Sequence, residues 1–297
     1  MRSSGTLFSL ASGAAFGSMA IFGKLAYDEG ANVGTLLAAR FIVGAVLFWA
    51  LVLAGGALHE ARGLRRRDVG FGLGLGAAGY AAQAGLYFVA LQRIDASILA
   101  LLLYTFPAMV TVAAVMLGRE RVNTRRLIAL GLTSVGLILV LTGATGGGFD
   151  ALGAVLALGA AVVYTTYILA SQGVAGRISP YLLSALVCTG AAVTLTLGAS
   201  VLGELHPAEV TAKGWLWLGC IGVVSTVVAI GFFFAGLRRV GPTSASILAT
   251  VEPVVTVLLA FAVFGEMLAA PQILGAALVL TSVVVLQARS RRPALAA

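Results

Sequence analysis

The sequence predicts an all-α polytopic membrane protein: ten transmembrane helices arranged as two inverted five-helix repeats. Three observations carry that expectation. The first is composition, since 60% of the 297 residues are hydrophobic, only 10% are charged and the mean hydropathy is +1.04, more apolar material than the core of a soluble chain this long can absorb. The second is a series of apolar runs close to the ~20 residues that cross ~30 Å of hydrocarbon. The third is an ungapped internal repeat that lays Pro107 on Pro253, an offset of 146 residues.

The apolar runs fall near residues 5–26, 34–55, 70–91, 97–117, 125–143, 151–171, 181–203, 214–236, 243–264 and 270–287. In lipid each must satisfy its own backbone hydrogen bonds, and spanning strands would instead show alternating segments of about ten residues, so all are expected to be helices. The first run is long, carries Arg2 as its only early positive charge and is followed by nine more, so it reads as a retained span rather than a cleaved signal. Cys188 and Cys220 lie inside the seventh and eighth runs and read as small packing residues. His59 and His206 fall in loops at opposite ends, and neither a metal site nor a cofactor is expected.

Lysine and arginine are distributed unevenly between the loops. With the N-terminus inside, fifteen of the nineteen basic residues lie on the cytoplasmic side; Lys24, Arg93 and Lys213 lie on the other, and Arg40 is within the second span. Cytoplasmic loops are enriched in these residues, so both termini are expected in the cytoplasm of a bacterial cell, with the protein in its inner membrane. The net charge of +8 then reflects topology and contact with anionic lipid. The "RGLRRRD" run at 62–68 is the expected topogenic cluster, not a nucleic-acid site.

The offset of 146 also lays Leu91, Arg93, Leu102, Ala114 and Glu120 on Leu237, Arg239, Leu248, Ala260 and Glu266. It extends to the first span, where Leu10, Ala11 and Gly13 fall on Leu156, Ala157 and Gly159. The units are expected at 1–146 and 147–297. Because five is odd, the second unit enters the membrane upside down, and Glu120 and Glu266 face opposite sides. Inverted halves let one site near the midplane open alternately to each side, which points to a secondary transporter. No run shows a ring of charges or a filter motif that would suggest a channel. The GxGxxG at Gly74, Gly76 and Gly79 lacks a preceding strand, so with Gly70, Gly72, Gly13 and Gly17 these glycines read as small faces for close helix packing.

Ten spans in a five-plus-five duplication, "AARF" at 38–41, and the related segments "PAMVTVAAVMLGRE" at 107–120 and "EPVVTVLLAFAVFGE" at 252–266 resemble the EamA-type branch of the drug/metabolite transporter superfamily. The resemblance covers the whole chain. It implies a secondary carrier of small metabolites with a central cavity lined mainly by spans 1, 3, 4, 6, 8 and 9, and amino-acid exporters of bacterial inner membranes look most similar.

Polar residues inside spans are costly in lipid and should face the interior. Tyr80, Gln83 and Tyr87 share a helical face in span 3. Tyr104 in span 4, Tyr164 and Tyr167 in span 6, Thr226 in span 8 and Ser246 and Thr250 in span 9 stand at similar depth. The repeat pairs Tyr80 with Thr226 and Tyr104 with Thr250. Tyr87 is near enough to the end of its span to serve instead as an interfacial anchor. Glu252 is the sharpest feature: a carboxylate near the midplane whose repeat partner is Phe106. It can relay protons, hold a substrate ammonium, or bond backbone freed by Pro253. Pro107 and Pro253 remove helical hydrogen bonds at matching depth and are expected to make paired bends. Lys24 and Arg40 are expected toward the outer side, snorkelling and pairing with Asp28 and Glu29.

The resulting expectation is a transporter, not an enzyme, exporting small, partly apolar metabolites by alternating access, amino acids first and protons as a possible coupling ion. A cation or multidrug efflux carrier using Glu252 as counter-charge is the alternative, and a non-transporting membrane receptor with this fold is the alternative from another class. The ninth span has no lysine or arginine in its body, which disfavours phosphorylated substrates. Oligomeric state is not legible.

Overall fold

A computed structural model describes residues 2–55, 63–118, 123–143, 150–175, 177–240, 248 and 250–287. The described residues are helical in ten spans, and no strand occurs among them. Span 1 comprises Arg2–Gly17 and Met19–Asp28, span 2 Val33–Ala54, and span 3 Arg66–Leu91 with a π-helical turn at Leu75–Tyr80. Span 4 is split into Ala96–Leu103 and Phe106–Met116; Thr124–Gly143, Ala151–Ala175 and Pro180–Val201 form spans 5, 6 and 7. Span 8 runs from Ala212 to Val240 through a second π-helical turn at Val223–Val228. Val251–Phe264 belongs to span 9 and Ala270–Gln287 is span 10.

Seven of these helical stretches are long and apolar enough to cross a membrane on their own, and Val251–Phe264 and Ala270–Leu286 are shorter apolar helices. Large apolar side chains such as Val46, Leu127, Ile138, Leu197 and Ile273 are exposed. In water they would be a liability; on a spanning helix they are the lipid-facing surface. Local signals fix the ends: the Asn32 side chain accepts from Thr35 N at 2.9 Å, Thr211 caps Gly214, and Gly265 at φ 67° terminates span 9.

Helix pairing follows the duplication. Span 5 packs on span 10, span 2 on span 7, and the first half of span 4 on span 9; span 1 packs on span 8 and span 3 on span 6. Under the 146-residue offset the first three pairs map onto themselves and the last two exchange, as a two-fold relation between the units requires. The unit boundary at 146/147 lies outside the described residues.

Glycine permits the closest crossings. A Cβ on Gly76 would collide with the Val187 carbonyl, and one on Gly190 with the Leu73 carbonyl, so spans 3 and 7 meet backbone to backbone beside the first π turn. The expectation that every glycine of the 70–79 run packs this way needs correction, because Gly70 and Gly74 face open space. Both cysteines are free; Cys188 is buried against Gly44.

At the arginine-poor end the chain is tied by charge. Glu266, with 7% of its side chain exposed, accepts from Lys24 Nζ at 2.7 Å, from the Ala96 and Ser97 amides at 3.1 and 3.0 Å, and from Ser97 Oγ at 2.8 Å. It joins spans 1, 4 and 9 while capping the first turn of span 4. This corrects the expected pairing of Lys24 with Asp28 and Glu29. Lys24 lies 3.7 Å from Asp95 and takes Glu266 as its main partner, whereas Glu29 pairs with Lys213 at 2.8 Å and accepts from Thr211. The reason is burial: an ammonium is worth more beside a covered carboxylate than beside a solvated one.

Candidate substrate site

The site begins with a broken helix. Pro107 has no N–H to offer the Leu103 carbonyl, and span 4 stops at Leu103 and restarts at Phe106. Thr105 closes the gap, its amide and hydroxyl both donating to Leu102 O at 3.2 and 2.7 Å. From this turn Tyr104 Oη donates to Glu252 Oε2 at 3.0 Å. Pro253 lies in the first turn of Val251–Phe264, where an absent N–H costs little. The residues that would show a matching bend, 241–247 and 249, lie outside the described residues, and so does the candidate Ser246. Thr250 stands at the start of the Glu252 helix, half-buried.

Span 1 is interrupted beside Glu252. Thr256 Oγ1 donates to Gly17 O at 2.9 Å, and a Cβ on Gly17 would stand 2.6 Å from Glu252 O. Gly17 therefore sets how closely the Glu252 turn approaches span 1.

An aromatic wall runs from Tyr104, beside Glu252, to Tyr80, with members from both units. Tyr104 meets Phe106 at 5.8 Å between ring centroids, Phe106 meets Tyr164 edge-on at 4.8 Å, Tyr164 stacks on Tyr167 at 6.2 Å, and Tyr167 lies 5.7 Å from Tyr80. Glu252, Tyr80, Tyr164 and Tyr167 are half-buried, each keeping part of its surface accessible. Tyr87 is buried, 4% exposed and edge-on to Phe88, which removes the reading as an interfacial anchor; its hydroxyl lies within electrostatic reach of both Glu252 and Arg40. Gln83 is buried one turn away on the same helix.

Arg40 is the residue that sequence reasoning misplaced. It does not snorkel: it is 2% exposed, and its guanidinium lies over the rings of Phe41, Tyr80 and Phe88 at 4.9, 5.6 and 5.6 Å. Its Nε donates to Thr226 Oγ1 at 3.2 Å and its Nη2 to Tyr80 Oη at 3.1 Å. Those two residues are the pair that the repeat superimposes, and each lies in a π-helical turn. The stem of Arg40 is too short to reach an interface from a helix face turned inward, so the charge stays among the aromatic rings. The repeat already set Tyr80 and Thr226 in equivalent places, but nothing in it pointed to Arg40 as the group between them.

A separate groove of about 640 Å³ opens between spans 2, 3 and 7, lined by Val33, Leu37, Ala81, Leu195 and Gly198 among others. None of the candidate residues borders it; its polar lining consists of Gln92, Thr194 and Glu204 amid small and apolar residues. The aromatic site is the one with convergent polar groups.

The profile of the EamA-like transporter family matches residues 3–142 and again 151–287. The chain belongs to the EamA-like transporter family. Each match covers five of the ten spans. Among curated relatives, an uncharacterized transporter of Archaeoglobus fulgidus is 31% identical over 199 residues, 67% of this chain and 70% of that protein. The uncharacterized transporter YcbK of Bacillus subtilis is 27% identical over 280 residues, covering 91% of this chain and 88% of its own length. A solved crystal structure superimposes with a TM-score of 0.68 at 21% identity, covering 96% of both chains, which establishes the fold alone. This EamA-like protein is thus a multi-pass membrane transporter of a small molecule.

Proposed function

We propose that this EamA-like chain exports small metabolites, amino acids first and aromatic and hydrophobic ones included, across a bacterial inner membrane by alternating access, with both termini in the cytoplasm. The observation that carries the reading is Glu252, a half-buried carboxylate within the bundle, held by Tyr104 and followed by the aromatic series Phe106, Tyr164 and Tyr167. The rings suit an apolar side chain, and the carboxylate suits an ammonium. Its position in the path also suits proton coupling, because protonation and substrate binding compete for one group.

Tyr80, Gln83, Tyr87, Tyr104, Tyr164, Thr226, Ser246, Thr250 and Glu252 are the proposed cavity residues, and Pro107 supplies a bend that aims Tyr104. Spans 3 and 8, each with a π turn, are suited to move against the rest, since π turns convert to α geometry by local rearrangement. The test is flux of labelled amino acids in proteoliposomes with and without a pH gradient. Accumulation that depends on the gradient and is abolished in Glu252→Gln, while exchange persists, supports the reading; no flux of any amino acid under either condition rejects it. A second reading, efflux of organic cations, rests on the same carboxylate and is separated by offering amines in the same assay.

A further inference from the structure

We infer that Arg40 is the anion-recognising residue of this carrier, and that its substrate is a zwitterion whose carboxylate takes the guanidinium in place of the Tyr80 and Thr226 hydroxyls. The inference rests on the reading of the aromatic site as the transport site, and it adds the second charge that the substrate must carry.

The starting point is an unbalanced charge. Among the described residues no carboxylate lies within ion-pair distance of Arg40, although Lys24, Arg93, Arg177 and Lys213 all have one. A 2% exposed arginine with only neutral acceptors is costly in a membrane interior. The rings of Phe41, Tyr80 and Phe88 offset part of that cost, because their faces attract the cation. They also hold the guanidinium plane fixed and only weakly solvated, the condition in which a planar fork best grips a carboxylate with two parallel hydrogen bonds. Tyr80 and Thr226 engage one donor on Nε and one on Nη2, so the fork retains donors beyond those they take.

Hydroxyls are weaker acceptors than a carboxylate. A substrate carboxylate arriving past Tyr80, which keeps part of its surface accessible, therefore has a favourable exchange available. The exchange frees Tyr80 and Thr226. Each belongs to a π-helical turn, one in span 3 and its repeat counterpart in span 8, so the guanidinium that reads the substrate is also the pin between the two turns. Glu252 supplies the opposite charge at the other end of the aromatic wall. Neither charge is duplicated by the repeat: Arg40 corresponds to Leu186 and Glu252 to Phe106. One cation from the first unit and one anion from the second make a site that is neutral overall and polar along its length, matching a dipolar ion rather than a cation or an anion.

The experiment uses the full-length protein in proteoliposomes and three probes with one apolar body: phenylalanine, phenethylamine, which lacks the carboxylate, and 3-phenylpropanoate, which lacks the amine. Each is measured by inhibition of labelled phenylalanine exchange and by thermal stabilisation of the purified protein, which needs no flux. The expected result is that phenethylamine binds more weakly than phenylalanine by about tenfold or more, and that Arg40→Lys erases most of that preference. Equal binding of phenethylamine and phenylalanine to the wild type overturns the assignment of Arg40 and favours the cation reading, and this arm stands even if the Arg40→Lys variant fails to fold. Binding of 3-phenylpropanoate alone, lost in Arg40→Lys, keeps Arg40 as the anion site but rejects amino-acid export. A carboxylate preference that survives in a folded Arg40→Lys→Gln series also overturns the assignment. Binding of none of the three rejects both.

Discussion

Removing the Glu266 carboxylate is expected to loosen the arginine-poor end of the bundle by a measurable amount. Glu266 follows Gly265, whose left-handed φ of 67° turns the chain off span 9, and it then accepts four hydrogen bonds from spans 1 and 4. In Glu266→Ala the Ala96 and Ser97 amides lose their acceptor at the start of span 4. A buried donor left unsatisfied costs about 1–3 kcal/mol. Lys24 loses its main partner but keeps Asp95 at 3.7 Å and is 22% exposed, so its share is small. The two amides together cost about 2–6 kcal/mol, or roughly 4–24 °C in midpoint at about 2–4 °C per kcal/mol. Lys24→Met leaves the three other donors on the carboxylate and should cost about 1–2 kcal/mol. Thermal unfolding in detergent measures both, and a Glu266→Ala midpoint within about 2 °C of the wild type would refute the reasoning.

The same carboxylate gives the effect a pH signature. Burial alone would raise its pKa, but the Lys24 ammonium and the Ser97 amide and hydroxyl outweigh burial and hold it below the usual glutamate value. A lowered folded-state pKa means that the stabilisation is complete above the ordinary glutamate range, about pH 4.3, and disappears as pH falls through the lower folded value. The gap between the wild type and Glu266→Gln should therefore hold at neutral pH and close only in acid below that range. A gap that closes between pH 6 and 8 would assign it to another group.

Gly17→Val should lower transport strongly while leaving the chain in the membrane, because a Cβ there stands 2.6 Å from Glu252 O and 3.1 Å from Val255 Cβ; flux per inserted protein is the measurement. Tyr104→Phe deletes the hydroxyl donated to Glu252 and should change apparent substrate affinity by a factor of about 5–10, the equivalent of one hydrogen bond, with little effect on the melting midpoint. Gly76→Leu should prevent spans 3 and 7 from closing and reduce the yield of folded protein, since the added side chain would occupy the Val187 carbonyl. Gly74→Leu, at a position facing open space, is its control and should be tolerated.

The spans were legible because lipid demands long apolar helices, and their order is a property of composition. The pairing of span 5 with 10 and of 2 with 7 was implied by the duplication, since a two-fold brings equivalent elements together. Local geometry was not legible in the same way. The π turns at Leu75–Tyr80 and Val223–Val228 carry no composition signal, because an extra residue in one helical turn changes neither hydropathy nor charge. Span 4 was readable as a bend from Pro107, but that the break would aim Tyr104 at Glu252 depends on span 9, an element far away in sequence. The anchor reading of Tyr87 and the outer placement of Arg40 failed for one reason: distance from a span end, counted in residues, says nothing about which way the helix face turns.

That failure bears on how a duplicated carrier acquires a particular chemistry. A two-fold relation makes backbone features come in pairs, and the π turns and the prolines do so. Charge does not. Arg40 is matched by Leu186, a buried apolar side chain that lies against Gly72, and Glu252 is matched by Phe106, an aromatic member of the wall. A charge present in both copies would place like charges near the axis, where their repulsion in a low-dielectric interior is large. One charge of each sign, from different units, avoids that repulsion and leaves a dipole across the site. The backbone symmetry can then supply the motion while the asymmetric pair supplies the selectivity, so substitutions at Pro107 and Gly17 should act on turnover for every substrate, and substitutions at Arg40 and Glu252 should change which substrates are carried.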